Sequence, residues 1–273
     1  MRNSLGALTT ALALVVCTSL ALPWGAGASG RPRTAATARK KLWQPSPHTT
    51  WQWQLTGRLD LSVPAQMYDI DLFDNSAGVV AQLHRMGRHV ICYLDAGTYE
   101  NYRPDAHLFP ASVLGRPNGW PGERWLDIRQ ISVLAPIMRA RFALCARKGF
   151  DGVEADNVDG YENDTGFPLT GADQLAYNRW LARTAHSFGL SIALKNDVDQ
   201  ARQLEPYFDY ALDEQCFQYQ ECDKLRPFTA AHKAVFEVEY QLPASRFCAQ
   251  ANRLGFMSMV KDLNLDAKRT VCW

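Results

Sequence analysis

Eight short apolar runs punctuate this chain, most of them ending on a charged residue, breaking into a turn and giving way to a helical stretch. Strands that alternate with helices imply parallel pairing, because a parallel neighbour is reached only through a crossover. The runs are Thr50–Leu55, Met67–Phe73, His89–Leu94, Phe150–Asn157, Leu190–Leu194, Phe208–Leu212, Ala234–Val238 and Phe256–Val260. Helical spacing covers Ala77–Met86, Ile131–Lys148, Ala172–Phe188 and Ala244–Leu254, each stopped by a glycine. Weaker helices fall near Gln200–Tyr207 and Phe228–Lys233, while Arg58–Ala65 is too short and Pro-broken to make one. Eight units in about 225 residues predict one α/β domain, a (β/α)₈ TIM barrel. The alternative is an open doubly wound sheet, but no Gly-x-Gly-x-x-Gly turn follows any strand. Thr98–Asp127 shows no period and is expected to be an irregular functional loop, its aromatics arguing against disorder.

The barrel should occupy 49–273. Residues 1–28 carry one charge (Arg2), an apolar run and a small-x-small end at Ala26-Gly27-Ala28, as a secretory signal peptide does. A lipid anchor at Cys17 is disfavoured by Val16. No other stretch is long and apolar enough to span a bilayer. Residues 29–48 hold five basic residues, no acids and three prolines, and read as a flexible leader. The body from Thr49 onward then has 23 basic against 28 acidic residues, a net of −5. Such a surface does not invite nucleic acid, and it suits a cationic ligand. Six cysteines remain after cleavage, an even number in an exported chain. Cys216 and Cys222 enclose a short loop; Cys248 with Cys272 would tie the terminus down, leaving Cys92 with Cys145. No Cys-x-x-Cys pair supports zinc instead.

In a parallel barrel the strand C-termini share one face, where active sites are built. The residues due there are Asp71, Asp95, Glu154, Asp156, Glu214, Glu239 and Asp262, with Lys195 and Lys261 as counter-charges. Tyr93, Asn157, Asn196 and Tyr240 are neutral neighbours. Gly-x-Ser-x-Gly and His-Glu-x-x-His are both absent. Clustered carboxylates have three uses. They can hold a divalent metal, although the calcium-loop spacing fails around Gly160. They can join lysines in structural networks, a role expected for Asp69, Asp74 and Glu237. They can also form the pair that cleaves a glycosidic bond, one ionised and one protonated.

Particular stretches now bear on the choice. WQWQLTG, YDIDLFD, ICYLDAGTYENYRPD, GFDGVEADNVDGY, LKND and DEQCF, in this order, resemble glycoside hydrolase family 114, the endo-α-1,4-polygalactosaminidases. The resemblance runs from about Trp51 to Asp262. It implies a secreted (β/α)₈ barrel that cuts internal α-1,4 bonds in galactosamine-containing polysaccharide with two carboxylates, without metal or other cofactor. The family's catalytic Asp, ending the fourth barrel strand, matches Asp156. Its catalytic Glu, ending the sixth, matches Glu214, 58 residues on. By analogy with retaining barrels Asp156 is the nucleophile and Glu214 the acid/base. Asp71, Tyr93, Asp95, Asn157, Lys195, Asn196 and Glu239 would then line the sugar subsites. The partner implied is the polysaccharide, with no nucleic acid, no membrane after signal cleavage, and a monomeric chain. Two rivals use the same residues: a polysaccharide-binding barrel without turnover, and a metal-dependent hydrolase.

Overall fold

The computed structural model describes residues 42–273. The signal peptide expected at 1–28, and the leader as far as residue 41, lie outside the described residues. In chain order the strands are β1 (Trp51–Gln54), β2 (Met67–Asp71), β3 (His89–Asp95), β4 (Thr98–Glu100), β5 (Leu114–Pro117) and β6 (Glu123–Leu126). They continue as β7 (Gly152–Asp156), β8 (Ser191–Lys195), β9 (Tyr210–Glu214), β10 (Val235–Glu239), β11 (Met257–Val260) and β12 (Thr270–Val271). The α-helices are α1 (Ala77–Arg85), α2 (Ile131–Lys148), α3 (Gly171–Ser187), α4 (Ala201–Leu204), α5 (Arg226–Ala230) and α6 (Ala244–Leu254).

Eight strands, β1-β2-β3-β7-β8-β9-β10-β11, pair in parallel in that order, and β12 lies antiparallel on β11. The fold is an α/β barrel. Period-2 alternation sorts the core into two shells. On β2 and the residue after it, Tyr68, Ile70 and Leu72 pack outward with Val80 and Leu83 of α1, while Met67 joins Trp51, Trp53, Ile91, Phe236 and Met259 inside. Helix α3 begins with a reciprocal cap, in which Thr170 Oγ1 accepts from the Asp173 N–H and Asp173 accepts from the Thr170 N–H.

β1 departs from the rule because no helix among the described residues covers it. Its outward residues are amides: Gln52 Nε2 donates to the Ala267 carbonyl at 2.9 Å, and Gln54 Nε2 to the Arg58 carbonyl at 2.9 Å. The alternation in Trp51-Gln52-Trp53-Gln54 thus records an indole face toward the barrel interior and an amide face that satisfies loop backbone.

The seam between β11 and β1 is closed by side chains and the C-terminal segment. Trp51 Nε1 donates to the Met257 carbonyl at 2.8 Å, and the Arg269 guanidinium donates to the Trp51 carbonyl. The Leu55 N–H donates to the Leu265 carbonyl at 2.9 Å. Disulfides join Cys92 to Cys145, Cys216 to Cys222, and Cys248 to Cys272, the last fastening the chain end to α6.

Three expectations are corrected. Thr98–Asp127 is an ordered three-stranded antiparallel sheet, β4-β6-β5, with two short 3₁₀ turns. Strands of three and four residues, one with a register shift at Leu114/Pro117, are too short to show a period. The end of the leader is built into the fold, since Trp43 stacks on His89 at 4.1 Å and Gln44 Nε2 donates to Asp209 at 2.5 Å. Finally, Asp69, Asp74 and Glu237 form no ion pair with a lysine among the described residues. Asp69 and Glu237 are fully buried, Asp74 is exposed, and the nearest cation to Asp74 is Arg103 at 3.9 Å.

Candidate active site

At the C-terminal ends of the barrel strands opens a cavity of about 720 Å³. Its floor is organised by one ammonium group. Lys195 ends β8, is fully buried, and donates to Asp156 Oδ1 at 2.9 Å and to Glu214 Oε2 at 2.7 Å. Those two carboxylate oxygens are therefore at most the sum of these distances, 5.6 Å, apart. Burial alone would discharge Lys195, but Asp156, Glu214 and Glu154 hold it well above the usual lysine range.

Asp156 ends β7. Its Oδ2 accepts from the Tyr93 hydroxyl at 2.8 Å and its Oδ1 from the Asn157 N–H at 2.8 Å as well as from Lys195. Burial pushes its carboxyl up, yet the charge and hydrogen bond of Lys195, Tyr93 and the Asn157 N–H prevail and hold it below the ordinary aspartate value. Glu214 ends β9, with Tyr240 donating its hydroxyl to Oε1 and the Glu214 N–H donating to Asn196 Oδ1 at 3.0 Å. Asn157 and Asn196 both take positive φ, 58° and 52°, a region asparagine tolerates better than most residues. Asn157 is pinned by Gly97. A Cβ there would lie 1.5 Å from the Asn157 carbonyl oxygen, so only glycine lets the β3 and β7 loops meet.

Of the residues expected to line subsites, Asp71, Tyr93, Asn157, Lys195 and Asn196 do face the cavity with Asp156 and Glu214. Asp95 and Glu239 do not. Asp95 is fully buried and its oxygens are taken by the Gly97 and Thr98 N–H groups, the Thr98 hydroxyl and Asn157 Nδ2. Glu239 points out of the barrel, where its Oε1 accepts the N–H groups of Phe217 and Gln218. Tyr240, one residue on, points in. Strand parity carries that signal, since Phe236 and Val238 are in the inner core and Tyr240 continues their face. Also facing the cavity are Trp53, whose ring lies 5.5 Å from Lys195 Nζ, Asp159, and from the β4–β6 sheet Glu100, Tyr102, Trp120 and Glu123.

Beneath this floor Glu154 and Asp69 are fully buried inside the barrel, Glu154 Oε1 at 3.9 Å from Lys195. Burial raises Asp69 to about 7 against the opposing pull of Glu154 and Lys195, and raises Asp197 to about 9 with help from Asp159 and Glu162. Both stay protonated in the fold at pH values where the unfolded chain, with carboxyls near about 4, is ionised. Their contribution to stability is complete below pH about 4 and is lost as pH rises through about 7 and then about 9. The melting temperature should fall from about pH 5 to about pH 9, and Asp197→Asn should flatten the upper half of that fall. A flat or rising profile in the parent chain would contradict this.

Residues 32–273 match the profile of glycoside-hydrolase family GH114. The chain belongs to glycoside-hydrolase family GH114. Aspergillus fumigatus Ega3, solved in complex with galactosamine, is 40% identical and superposes with a TM-score of 0.80, covering 85% of this GH114 chain and 98% of Ega3. The glycoside hydrolase domain of PelA from Pseudomonas aeruginosa shares the fold at 15% identity and a TM-score of 0.65, covering 81% of this chain and 97% of that domain. An uncharacterized protein of Deinococcus radiodurans is 29% identical over 154 residues, 50% of this chain. The GH114 chain spans about half of that curated relative (47%).

Proposed function

We propose that this GH114 member is a secreted endo-acting hydrolase of α-1,4-linked galactosamine-containing polysaccharide. Asp156 is the nucleophile and Glu214 the acid/base. The observation that carries the reading is the ammonium of Lys195 bridging both carboxylates at 2.9 and 2.7 Å. Retaining glycosidases keep their carboxyl groups about 5–5.5 Å apart and inverting ones about 6.5–9.5 Å. A ceiling of 5.6 Å between the bridged oxygens favours retention.

The roles follow from how each carboxylate is held. Asp156 accepts three hydrogen bonds, so it is the better-stabilised anion and suits attack on the anomeric carbon. Glu214 accepts two and is the more open, with 24% of its side chain exposed against 16% for Asp156. In its acid form Glu214 hands its proton to the glycosidic oxygen as the bond breaks. After the leaving sugar departs, the same carboxylate takes a proton from water and the Asp156 ester is hydrolysed. Among the described residues seven carboxylates but only Arg103 and Lys195 of the cations face the cavity, which suits a polymer bearing free amines. Three disulfides suit an oxidising, extracytoplasmic address.

The test is digestion of partly deacetylated polygalactosamine by the mature protein, followed by mass spectrometry and by NMR of the first-formed reducing ends. Short oligosaccharides whose ends are initially α are expected. Initially β ends would replace retention by inversion, and polymer left intact would remove the hydrolase reading for this substrate.

A further inference from the structure

The sheet β4-β6-β5 carries a group of residues that bond cleavage does not use. Glu100 on β4 and Glu123 on β6 are register partners, and both face the cavity. The Tyr102 hydroxyl lies between them, 3.1 Å from Glu100 Oε1 and 3.0 Å from Glu123 Oε1. Asn118 Nδ2 donates to Glu123 Oε2 at 2.7 Å, and the Thr98 hydroxyl, whose proton goes to Asp95, lies 3.3 Å from the same oxygen. Every one of these donors to Glu123 is neutral, and no ion pair to it forms among the described residues. Glu100 Oε1 is taken by Arg103 at 2.7 Å, but its Oε2 is buried without a hydrogen-bond partner, the nearest cation being Arg141 at 3.8 Å.

Two aromatic rings stand at the same rim, Tyr102 at 57% and Trp120 at 56% exposure. The turn that presents Trp120 is tied to the acid: Asn118 Oδ1 accepts the Trp120 N–H at 3.0 Å, and the Trp120 carbonyl accepts the Glu123 N–H at 3.2 Å. A carboxylate fixed by neutral donors is an anion positioned in advance with its charge unmatched. An indole beside it offers a flat apolar surface. A pyranose ring bearing a free ammonium satisfies both at once. An N-acetylated ring would rest on the indole but leave the carboxylate unpaired, a loss of the kind that confers selectivity.

We propose that Glu123, with Glu100, Tyr102 and Trp120, forms a binding subsite for an amino sugar carrying a free amine, separate from the residues that cut the bond. The proposal rests on the galactosamine-polymer reading and adds where the polymer's acetylation state is read. The test is calorimetric binding of a galactosamine pentasaccharide and its N-acetylated counterpart to the full mature chain carrying Glu214→Gln, with and without Glu123→Gln or Trp120→Ala. Glu123→Gln should weaken the free-amine oligomer by about tenfold to hundredfold. It should leave the acetylated oligomer within about twofold and remove much of the salt dependence of binding. Trp120→Ala should weaken both oligomers. Unchanged affinity for the free-amine oligomer in Glu123→Gln, or equal affinity of the parent for the two oligomers, overturns the subsite. Turnover by the unsubstituted protein is scored separately. Cleavage with no effect of Glu123→Gln on binding sinks the subsite alone, whereas the predicted binding loss without any cleavage keeps the subsite and sinks the hydrolase reading.

Discussion

Glu214→Gln should bind substrate and lose about 10²–10⁴-fold in kcat, as removal of a positioned acid/base does. The loss should shrink on aryl glycosides, whose leaving groups depart without protonation. Asp156→Asn should lose as much on every substrate, because a nucleophile is needed whatever leaves. Azide separates the two roles further. In Asp156→Ala it would enter from the face the nucleophile vacates and give a β-glycosyl azide. In Glu214→Ala it would attack the ester formed on Asp156 and give the α-azide. The opposite stereochemistry in the two variants would exchange the assignments, and cleavage that survives both would remove the pair from the reaction.

Arg141→Met should lower stability by about 3–5 kcal/mol, the usual consequence of stripping one partner from a buried charge cluster. At this size that is a fall in melting temperature of about 6–20 °C. Arg141 is 1% exposed on α2 and donates to the Asp95 carbonyl at 2.7 Å and to Asp105 at 2.8 and 2.9 Å. Its guanidinium also lies 5.4 Å from the ring centres of Phe73 and Phe109. Without it Asp105 loses both donors and the turn after β3 loses its anchor to the helix layer. Arg116→Ala is the control. Arg116 pairs with Asp164 while 61% of its side chain is exposed, and breaking a solvent-exposed pair should move stability by no more than about 1 kcal/mol. A melting temperature unchanged by Arg141→Met would show that the cluster reorganises without cost.

The barrel was legible because its alternation is redundant. Runs such as Tyr68-Ile70-Leu72 announce an outward face, and four glycine-stopped helices announce crossovers. The floor of the cavity was legible for the same reason, since Asp156, Lys195 and Glu214 each end a strand. Glu239 also ends a strand but belongs to the opposite parity, so its charge is turned outward and the next residue, Tyr240, takes the inward place. Asp95 is level with Asp156 in register, yet its own loop consumes it, which depends on a backbone path that no spacing rule encodes. The β4-β5-β6 sheet was hidden because three or four residues hold too few alternations to read. Nor could strand rules foresee that a barrel seam is sealed by Arg269 and an indole N–H.

That seam has a consequence in time. Its bonds join residues 206, 215 and 218 positions apart, linking the first strand to residues made long after it. Contacts of such long range come with a large loop-closure entropy and form late. The first strand must wait for Met257 to Arg269 before it has a second neighbour. Until those residues have been made, the polypeptide holds an open sheet and no finished cylinder, and every strand pairing but the closing one is in place before the barrel can shut.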